Sequence, residues 1–398
     1  MIHRYQKKGL NFVLDVNSGA VHLLDDISYA VSGLLDENMG DTCPQSIIDA
    51  LPDYTADEIR EAYDELYELK KAGQLFAQDD YIDVSRYIPV NAPVKALCLH
   101  VAHDCNLRCK YCFASTGDFG QGRKIMPPEI AKKAIDFVIA RSGVRHKIEV
   151  DFFGGEPLMA WDTVTQTVDY ARSLEEKYNK KFRFTITTNG LLLDEDKRKY
   201  INENMDNCVL SLDGRREVND EFRKTVAGTG SYDTIVPKFK ALVDERDPNL
   251  DYYARGTFTS HNLDFAEDVL SIADAGFDRL SVEPVTADPG CGYDLTEDDL
   301  PKIEAEYDRL TDIMLERKKE GKPFTFFHFM VDLDQGPCVV KRLRGCGAGY
   351  EYVAVTPDGD IYPCHQFVGK DEFKQGSVLD QSFNMDIAQK FAGMNIYS

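Results

Sequence analysis

Between residues 94 and 283 the chain alternates short apolar runs with longer stretches in which apolar residues recur at helical spacing. The short runs predict six strands, over residues 96–101, 148–153, 182–187, 209–212, 253–259 and 280–283. The stretches between them predict helices over residues 127–140, 162–178, 194–204, 232–245 and 265–275, and a long charged helix follows over residues 296–319. Because strands that alternate with helices form a parallel sheet with right-handed crossovers, we predict an α/β fold built as a partial (β/α)6 barrel. Active residues of such a barrel lie at the C-terminal ends of its strands.

The first part of the chain has a different pattern and predicts a small separate domain over residues 1–80. Two strand-like runs, over residues 9–16 and 20–24, flank a turn at Asn17-Ser18-Gly19, and helical patterns follow over residues 27–35 and 44–51. Thr55 is placed to cap a longer helix that ends at Gly73, and residues 75–77 are expected to form a closing strand. This order of elements resembles a winged helix-turn-helix.

The presumed recognition helix of this domain is acidic, which disfavours the DNA binding that is the generic use of a winged helix. It carries Glu58, Glu61, Asp64, Glu65 and Glu68, and such a surface would repel phosphates. The domain instead looks like the recognition elements attached to peptide-modifying enzymes, in which an extended leader peptide adds a strand to an exposed sheet edge. The alternative is a domain that only packs against the next one.

Composition narrows the class of protein further. The 398 residues are enough for two or three domains, and the net charge of −22 argues against a nucleic-acid partner. Neither a membrane-spanning apolar run nor a secretion signal is present, so we expect a cytoplasmic protein in which the ten cysteines are metal ligands or reduced thiols. A polar linker with two prolines is predicted over residues 81–93, the barrel over residues 94–320 and a cysteine-containing region over residues 321–398.

Three cysteines follow the first predicted barrel strand with the spacing Cys105-x3-Cys109-x2-Cys112. Three thiols within eight residues reach one metal centre only if the chain folds as a tight loop around it. A cubane iron–sulfur cluster needs four ligands, so a loop that supplies three leaves one iron open for an external ligand. The alternatives are a zinc site with His103 as the fourth ligand, and a disulfide loop.

Tyr111 precedes the third thiol and completes a C-x3-C-x-aromatic-C pattern, by which the chain closely resembles the radical S-adenosylmethionine (SAM) enzymes. The resemblance implies that Cys105, Cys109 and Cys112 hold a 4Fe–4S cluster whose open iron binds the amino and carboxylate groups of SAM. It further implies one-electron cleavage of SAM to a 5′-deoxyadenosyl radical, which abstracts hydrogen from an unactivated carbon. The electron would come from an external reductant of the flavodoxin or ferredoxin type.

The same resemblance implies a SAM pocket at the ends of the following strands. The motif Phe153-Gly154-Gly155-Glu156-Pro157 ends the second strand, and its glutamate is expected to hold the amino group of SAM, although a Gly-Gly pair is also a common strand-ending turn. The other residues that the resemblance places around SAM are Phe113, Thr188, Asn189, Ser211, Arg223 and Arg255. Either arginine could pair with the SAM carboxylate or serve as a structural ion-pair partner. Glu283 on the sixth strand is a candidate for substrate contact if it faces inward.

The cysteines near the end of the chain form the pattern Cys346-x12-Gly359-x4-Cys364, with Cys338 eight residues upstream. This pattern resembles the opening half of the SPASM extension, and it implies that these three cysteines hold one or more auxiliary 4Fe–4S clusters. Three buried free thiols are the alternative. No cysteine follows Cys364, so either the chain is shortened or the extension holds one cluster only. His365 could be a further ligand, although we expect it at the surface.

Taken together, these features most resemble the maturases of six-cysteine ribosomal peptides (the SCIFF class). The resemblance implies an oxidoreductase that joins a cysteine sulfur to the α-carbon of another residue in a cysteine-rich precursor peptide, forming the thioether that defines a sactipeptide. One alternative is an anaerobic sulfatase-maturating enzyme that forms formylglycine, although such enzymes do not need the N-terminal domain. Alternatives of another class are a non-catalytic iron–sulfur electron carrier and a redox-sensing DNA-binding regulator.

Overall fold

The computed structural model describes residues 1–79, 92–331, 343 and 345–395. These residues form two compact units, the first made mainly of residues 1–79 and the second of residues 92–330 and 346–394. Cys338 and most of the predicted linker lie outside the described residues. Among the described helices, none combines the length and the apolar character that a membrane span requires.

The first unit combines a three-stranded antiparallel sheet with three helices. In sheet order, its strands are β1 (Ile2–Lys7), β2 (Leu10–Asp15) and β3 (Val21–Leu24). Its helices are α1 (Asp26–Ser32), α2 (Gln45–Ala50) and α3 (Ala56–Lys71). The predicted turn at Asn17-Ser18-Gly19 joins β2 to β3, and successive residues of β2 alternate between the core and the outer face.

Helix α3 begins where the sequence predicts, because two side chains close its first turn. The Thr55 hydroxyl accepts from the N–H of Glu58, and the Glu58 carboxylate accepts from the N–H of Thr55 at 2.8 Å, which makes a capping box. The buried face of the helix follows helical spacing and consists of Ile59, Ala62, Tyr63 and Leu66.

One predicted strand of this unit is wrong, and one observed strand was not predicted. Residues 75–77 form no strand, because Ala77 is held by side chains and not by a backbone ladder. Its N–H donates to the carboxylate of Asp15 at 3.1 Å, and its carbonyl accepts from the side chain of Asn17 at 2.7 Å. Strand β1 has no apolar run that would predict it, because most of residues 2–7 are polar. It pairs with β2 through a turn in which φ is 52° at Lys8 and 75° at Gly9.

The second unit contains the remaining elements. In chain order its strands are β4 (Ala96–His103), β5 (Leu107–Cys109), β6 (Lys124–Ile125), β7 (Lys147–Gly154), β8 (Lys181–Thr188), β9 (Asn207–Ser211), β10 (Arg223–Thr225), β11 (Asp251–Phe258), β12 (Arg279–Pro284), β13 (Thr325–Phe326), β14 (Tyr352–Val355), β15 (Asp360–Tyr362), β16 (Gly376–Ser377) and β17 (Ser382–Phe383). Its helices are α4 (Pro128–Arg141), α5 (Trp161–Tyr178), α6 (Glu195–Asn204), α7 (Arg216–Phe222), α8 (Tyr232–Asp244), α9 (Phe265–Asp274), α10 (Leu300–Lys319) and α11 (Met385–Gly393).

The six predicted barrel strands form a parallel sheet in the order β4-β7-β8-β9-β11-β12, which confirms the α/β fold class and the partial (β/α)6 arrangement. The sheet does not close into a complete barrel within the described residues. One apolar core joins its strands to the helices α4, α5, α8 and α9, as expected where crossover helices cover a parallel sheet.

The end of the chain returns to the first strand of this sheet. β14 pairs in parallel with β4, so that Ala354 lies opposite Cys98, and β14 and β15 form an antiparallel hairpin. Gly359 in the hairpin turn has a φ of 88°, which glycine adopts without steric cost. The residues that follow β15 are thereby brought back to the C-terminal ends of the parallel strands.

Replacing Asp15 tests the link between the β2 turn and residue 77. Asp15→Ala removes a fully buried carboxylate that accepts from the N–H groups of Asn17, Ser18 and Ala77. We expect the free energy of unfolding, measured by urea denaturation of the full chain, to fall by about 2–3 kcal/mol. Asp49→Ala, which loses one exposed contact with a glutamine, should cost less than about 0.5 kcal/mol. Equal, small effects of both substitutions would contradict this assignment.

Candidate active site

A cavity of about 350 Å³ lies at the C-terminal ends of the parallel strands. Every predicted cofactor-binding residue except Glu156 lines it, as do the three cysteines of the loop after β4. The lining includes Cys105, Cys109, Cys112, Phe113, Gly154, Gly155, Thr188, Asn189, Ser211, Arg223, Arg255 and Glu283. The structure thus brings together, at one edge of the sheet, side chains that are far apart in the sequence.

The three-cysteine loop is held in place by hydrogen bonds. Strand β5, which ends at Cys109, pairs with β10 so that Cys109 lies opposite Arg223. The guanidinium of Arg108 donates to the carbonyl oxygen of Cys105, and the side chain of Asn189 donates to the Cys105 sulfur at 3.5 Å. The three thiols therefore face the cavity from a braced segment.

The aromatic residue of the cysteine motif anchors the loop to the neighbouring strand. The Tyr111 hydroxyl donates to Asp213 Oδ2 at 2.6 Å, and Arg223 Nε lies 3.0 Å from Asp213 Oδ1. That oxygen also accepts from the N–H of Thr257 at 3.0 Å. Because Asp213 is fully buried, its charge has to be balanced inside the protein, and Arg223 balances it. Arg223 is therefore a structural ion-pair partner that also lines the cavity.

Gly154 and Gly155 let the end of β7 lie directly against the cysteine loop. A Cβ atom at Gly154 would lie 2.2 Å from the carbonyl oxygen of Ala102, and one at Gly155 would lie 2.1 Å from that of Asp104. Gly154 also has a φ of 121°, a conformation that other residues rarely adopt. These glycines are required by the close approach of two backbones, whether or not a ligand also approaches them.

The carboxylate of Glu156 is fully buried and does not line the cavity. It accepts from the Thr188 hydroxyl at 2.7 Å and from the N–H groups of Asn189 at 2.7 Å and Leu158 at 3.0 Å. Burial raises the pKa of Glu156 to about 7 in spite of these hydrogen bonds. In this structure the carboxylate ties the end of β8 to the Gly-Gly turn, and its contact with the SAM amino group stays a prediction.

The loop thiols fit a cluster better than a single ion. Burial raises the pKa of Cys105 to about 12 and that of Cys109 to about 11, so both thiols stay protonated near neutral pH unless a metal displaces the protons. In the part of the chain that the structure describes, no three His, Cys, Asp or Glu side chains are arranged to hold one metal ion. A cubane cluster does not require that convergence, because each thiolate binds a different iron. His103, which would be the fourth ligand of a zinc site, is buried, and its Nε2 lies 3.1 Å from Nδ1 of His100.

Arg255, the other predicted partner of the SAM carboxylate, differs from Arg223 in its surroundings. Its guanidinium has no hydrogen bond or ion pair to any described residue, although its charge acts on Glu283 and His365. An arginine that lines a cavity without a partner is suited to bind a carboxylate there. Arg255 is therefore the arginine that is available to a ligand.

The SPASM-like region contributes to the same cavity. Burial raises the pKa of Cys364, and the thiol of Cys346 is near enough to raise it further. Cys338 lies outside the described residues, so two of the three expected auxiliary ligands are described. The expectation that His365 lies at the surface is wrong, because its side chain lines the cavity. The centroid of its ring lies 5.3 Å from the ring centroid of Phe113 and 5.1 Å from that of Phe153.

Comparisons with known proteins agree with this arrangement. Residues 99–253 match the radical SAM superfamily, and residues 346–391 match SPASM, an iron–sulfur cluster-binding domain. The cysteine-type anaerobic sulfatase-maturating enzyme of Clostridium novyi is 25% identical over 71% of this chain and 75% of its own length. The chain also matches two uncharacterized proteins, one from Archaeoglobus fulgidus at 25% identity and one from Methanocaldococcus jannaschii at 30% identity. These matches span 64% and 57% of the length of the two relatives.

Two solved structures share the fold. Native anSMEcpe with bound AdoMet has a TM-score of 0.62 at 22% identity, over 74% of this chain and 80% of that chain. Streptococcus suis SuiB bound to its precursor peptide SuiA has a TM-score of 0.53 at 16% identity, over 98% of this chain and 87% of that chain. The parallel sheet, the three-cysteine loop at its C-terminal edge and the two domain matches together indicate a radical SAM fold that is followed by a SPASM domain.

Replacing Asp213 tests whether its ion pair holds the cysteine loop. Asp213→Ala leaves Arg223 buried without a counter-charge, so we expect the free energy of unfolding to fall by about 3–5 kcal/mol, with loss of iron binding. Tyr111→Phe removes one hydrogen bond and keeps the ring, and should cost about 1–2 kcal/mol. Urea denaturation and iron analysis after anaerobic reconstitution measure both effects. If Asp213→Ala is no more costly than Tyr111→Phe, the ion pair does not hold the loop.

Proposed function

We propose that this protein is a radical SAM peptide maturase that forms thioether cross-links between a cysteine sulfur and the α-carbon of another residue in a cysteine-rich precursor peptide. One observation carries the proposal: the three-cysteine loop and the SPASM hairpin meet at one cavity. Cys105, Cys109 and Cys112 line that cavity, and so does His365, which directly follows Cys364. A cavity that is lined by the first cysteine set and by the residue next to Cys364 suits a reaction in which a carbon and a sulfur must be close together.

The residues of the cavity have distinct roles in this proposal. Cys105, Cys109 and Cys112 would hold a 4Fe–4S cluster, which would supply the electron for the cleavage of SAM and so the radical that takes hydrogen from a peptide carbon. Arg255 binds the carboxylate of SAM, because its guanidinium is available. Phe113, Phe153 and His365 form an aromatic wall that excludes water from the reacting atoms. The reductant is an external flavodoxin or ferredoxin type protein.

In this proposal the auxiliary cysteines serve to bind and position the sulfur of the substrate cysteine. Cys346 and Cys364, together with Cys338, would hold an auxiliary cluster, and with three protein ligands that cluster could also bind a cysteine thiolate of the peptide. Such ligation would keep that thiol deprotonated and fix its position.

The first unit is assigned to the leader of the precursor peptide. β1 and β3 are the two edges of its sheet, and β3 exposes Val21 by 38% and Leu23 by 61%. An extended peptide can add a strand to such an edge, with apolar side chains on the exposed face as contacts.

Formylglycine formation is a second candidate, supported by the similarity to the Clostridium novyi maturating enzyme. Both candidates use the same loop and cavity, so the product decides between them. The thioether is favoured because β3 forms an edge of the sheet with which no other described strand pairs, and a leader could bind there.

The direct test is the mass of the peptide product. Reduced, reconstituted protein should remove two hydrogens per cross-link from a cysteine-rich precursor peptide, because one C–H and one S–H bond become one C–S bond. The same peptide with alkylated cysteines is the control and should keep its mass. An aldehyde product would favour formylglycine formation, and an unchanged peptide despite 5′-deoxyadenosine release would count against this substrate class.

Leu23→Asp tests the proposed leader site. A charge on the exposed edge should weaken binding of a fluorescent leader peptide by about tenfold or more, because burying a leucine contributes about 1.5–3 kcal/mol. Leu34→Asp, at a site that is 46% exposed and outside the sheet, is the matched control and should leave affinity unchanged. Equal affinity of both variants would exclude the β3 edge as the binding site.

A further inference from the structure

Glu283, at the end of β12, begins a chain of hydrogen bonds at the cavity wall. The Ser281 hydroxyl donates to Glu283 Oε1 at 2.5 Å, and His328 Nε2 lies 2.8 Å from Glu283 Oε2. On its other side, His328 Nδ1 lies 2.8 Å from the hydroxyl of Tyr307 on α10. A carboxylate, an imidazole and a phenol are thus linked in a line that leads away from the cavity.

Glu283 is the only carboxylate among the described residues that line the cavity. The carboxylate of Glu156 is fully buried and does not reach the cavity, and the buried carboxylate of Asp213 forms an ion pair with Arg223. The imidazole of His365 also lines the wall, but burial and then the charge of Arg255 lower its pKa to about 4, so it is a poor proton acceptor near neutral pH. A substrate in the cavity therefore has few groups to which it can pass a proton.

The surroundings of Glu283 keep it ionised. Burial acts to raise its pKa, but the hydrogen bonds from Ser281 and His328 and the charge of Arg255 outweigh the burial and lower the pKa below the usual value. Arg255 faces it from β11, His328 from the segment after β13, and Ser281 from its own strand. The carboxylate is held in one position and carries a negative charge at neutral pH.

We propose that Glu283 is the base that accepts the proton which the peptide loses as its cross-link forms, and that His328 and Tyr307 position it. The inference rests on the proposed function and deepens it. In the reaction, the peptide carbon gives a hydrogen atom to the 5′-deoxyadenosyl radical and one electron to an acceptor of the iron–sulfur class. A C–S bond then replaces the C–H and S–H bonds.

The one proton in this balance is the S–H proton, which the peptide thiol loses when it becomes the thiolate that forms the C–S bond. A Glu283 carboxylate oxygen accepts it. His328 donates from Nε2 to the other carboxylate oxygen, so it holds Glu283 in position for the transfer and does not itself take the proton.

Glu283→Gln separates proton transfer from the radical steps. With a precursor peptide deuterated at the α-carbons, we expect cross-linking to fall about 10²–10³-fold, while 5′-deoxyadenosine release and its deuterium content stay within about threefold of the wild type. The reason is that hydrogen-atom abstraction from the α-carbon does not require the thiol to lose its proton. Peptide affinity measured by fluorescence anisotropy without SAM should be unchanged. Glu283→Asp, which keeps a carboxylate, should cross-link faster than Glu283→Gln.

His328→Gln tests the positioning role through the pH profile. Glu283 must be ionised to act, so the rate of cross-linking falls as the pH drops through its pKa. Weakening the hydrogen bond from residue 328 raises that pKa, and the acid limb of the profile should move to higher pH. A merely structural role would lower the rate at every pH and leave the limb in place.

Glu304→Gln is the matched control, since Glu304 is an exposed carboxylate on α10 less than one turn before Tyr307. It should leave cross-linking, 5′-deoxyadenosine release and the pH profile unchanged.

Two results would overturn the proposal: cross-linking by Glu283→Gln at the wild-type rate, or a loss of cross-linking that occurs in His365→Gln and not in Glu283→Gln. So would a parallel loss of 5′-deoxyadenosine and cross-links in Glu283→Gln, which would assign the residue to SAM binding. If the wild type itself neither transfers deuterium nor forms cross-links, the proposed function fails, and this inference fails with it.

Discussion

The buried carboxylate of Asp213 joins three segments at the edge of the sheet. The cysteine loop reaches it through the Tyr111 hydroxyl, β10 through the Arg223 guanidinium, and β11 through the N–H of Thr257. A buried charge that loses its partner costs several kcal/mol, on the order of 3–5, so these segments have one favourable arrangement. The aromatic position of the cysteine motif thus has a structural reason, which is to fix the loop relative to the sheet.

The rest of the site depends on that fixed loop. Gly154 and Gly155 bring the end of β7 against it, and the buried carboxylate of Glu156 extends the same bracing to β8. The consequence is a rigid wall on one side of the cavity. On the other side, the hairpin after β14 brings His365 to the cavity, and β12 brings Glu283. The residues that we propose to hold a cluster and those that we propose to face a substrate are therefore supported by different parts of the fold.

The sequence was sufficient for features that are encoded locally. The barrel strands are apolar runs bounded by polar residues, and Thr55 marks the start of α3 by its own side chain. β1 escaped prediction because its residues are polar and its pairing depends on the turn at Lys8 and Gly9. The orientation of Glu283 follows from the register of neighbouring strands, and its partner His328 is 45 residues away in the sequence. A local sequence pattern predicts neither the orientation of Glu283 nor its pairing with His328.

The central claim is that the loop of Cys105, Cys109 and Cys112 holds a redox-active cluster with one iron open to SAM. The most direct measurement is electron paramagnetic resonance, with iron analysis, of anaerobically reconstituted and reduced protein in which Cys338, Cys346 and Cys364 are replaced by alanine. The account predicts about four irons per chain and a cluster signal that changes when SAM is added. A single redox-inert metal on the loop, or a cluster signal that SAM leaves unchanged, would contradict it.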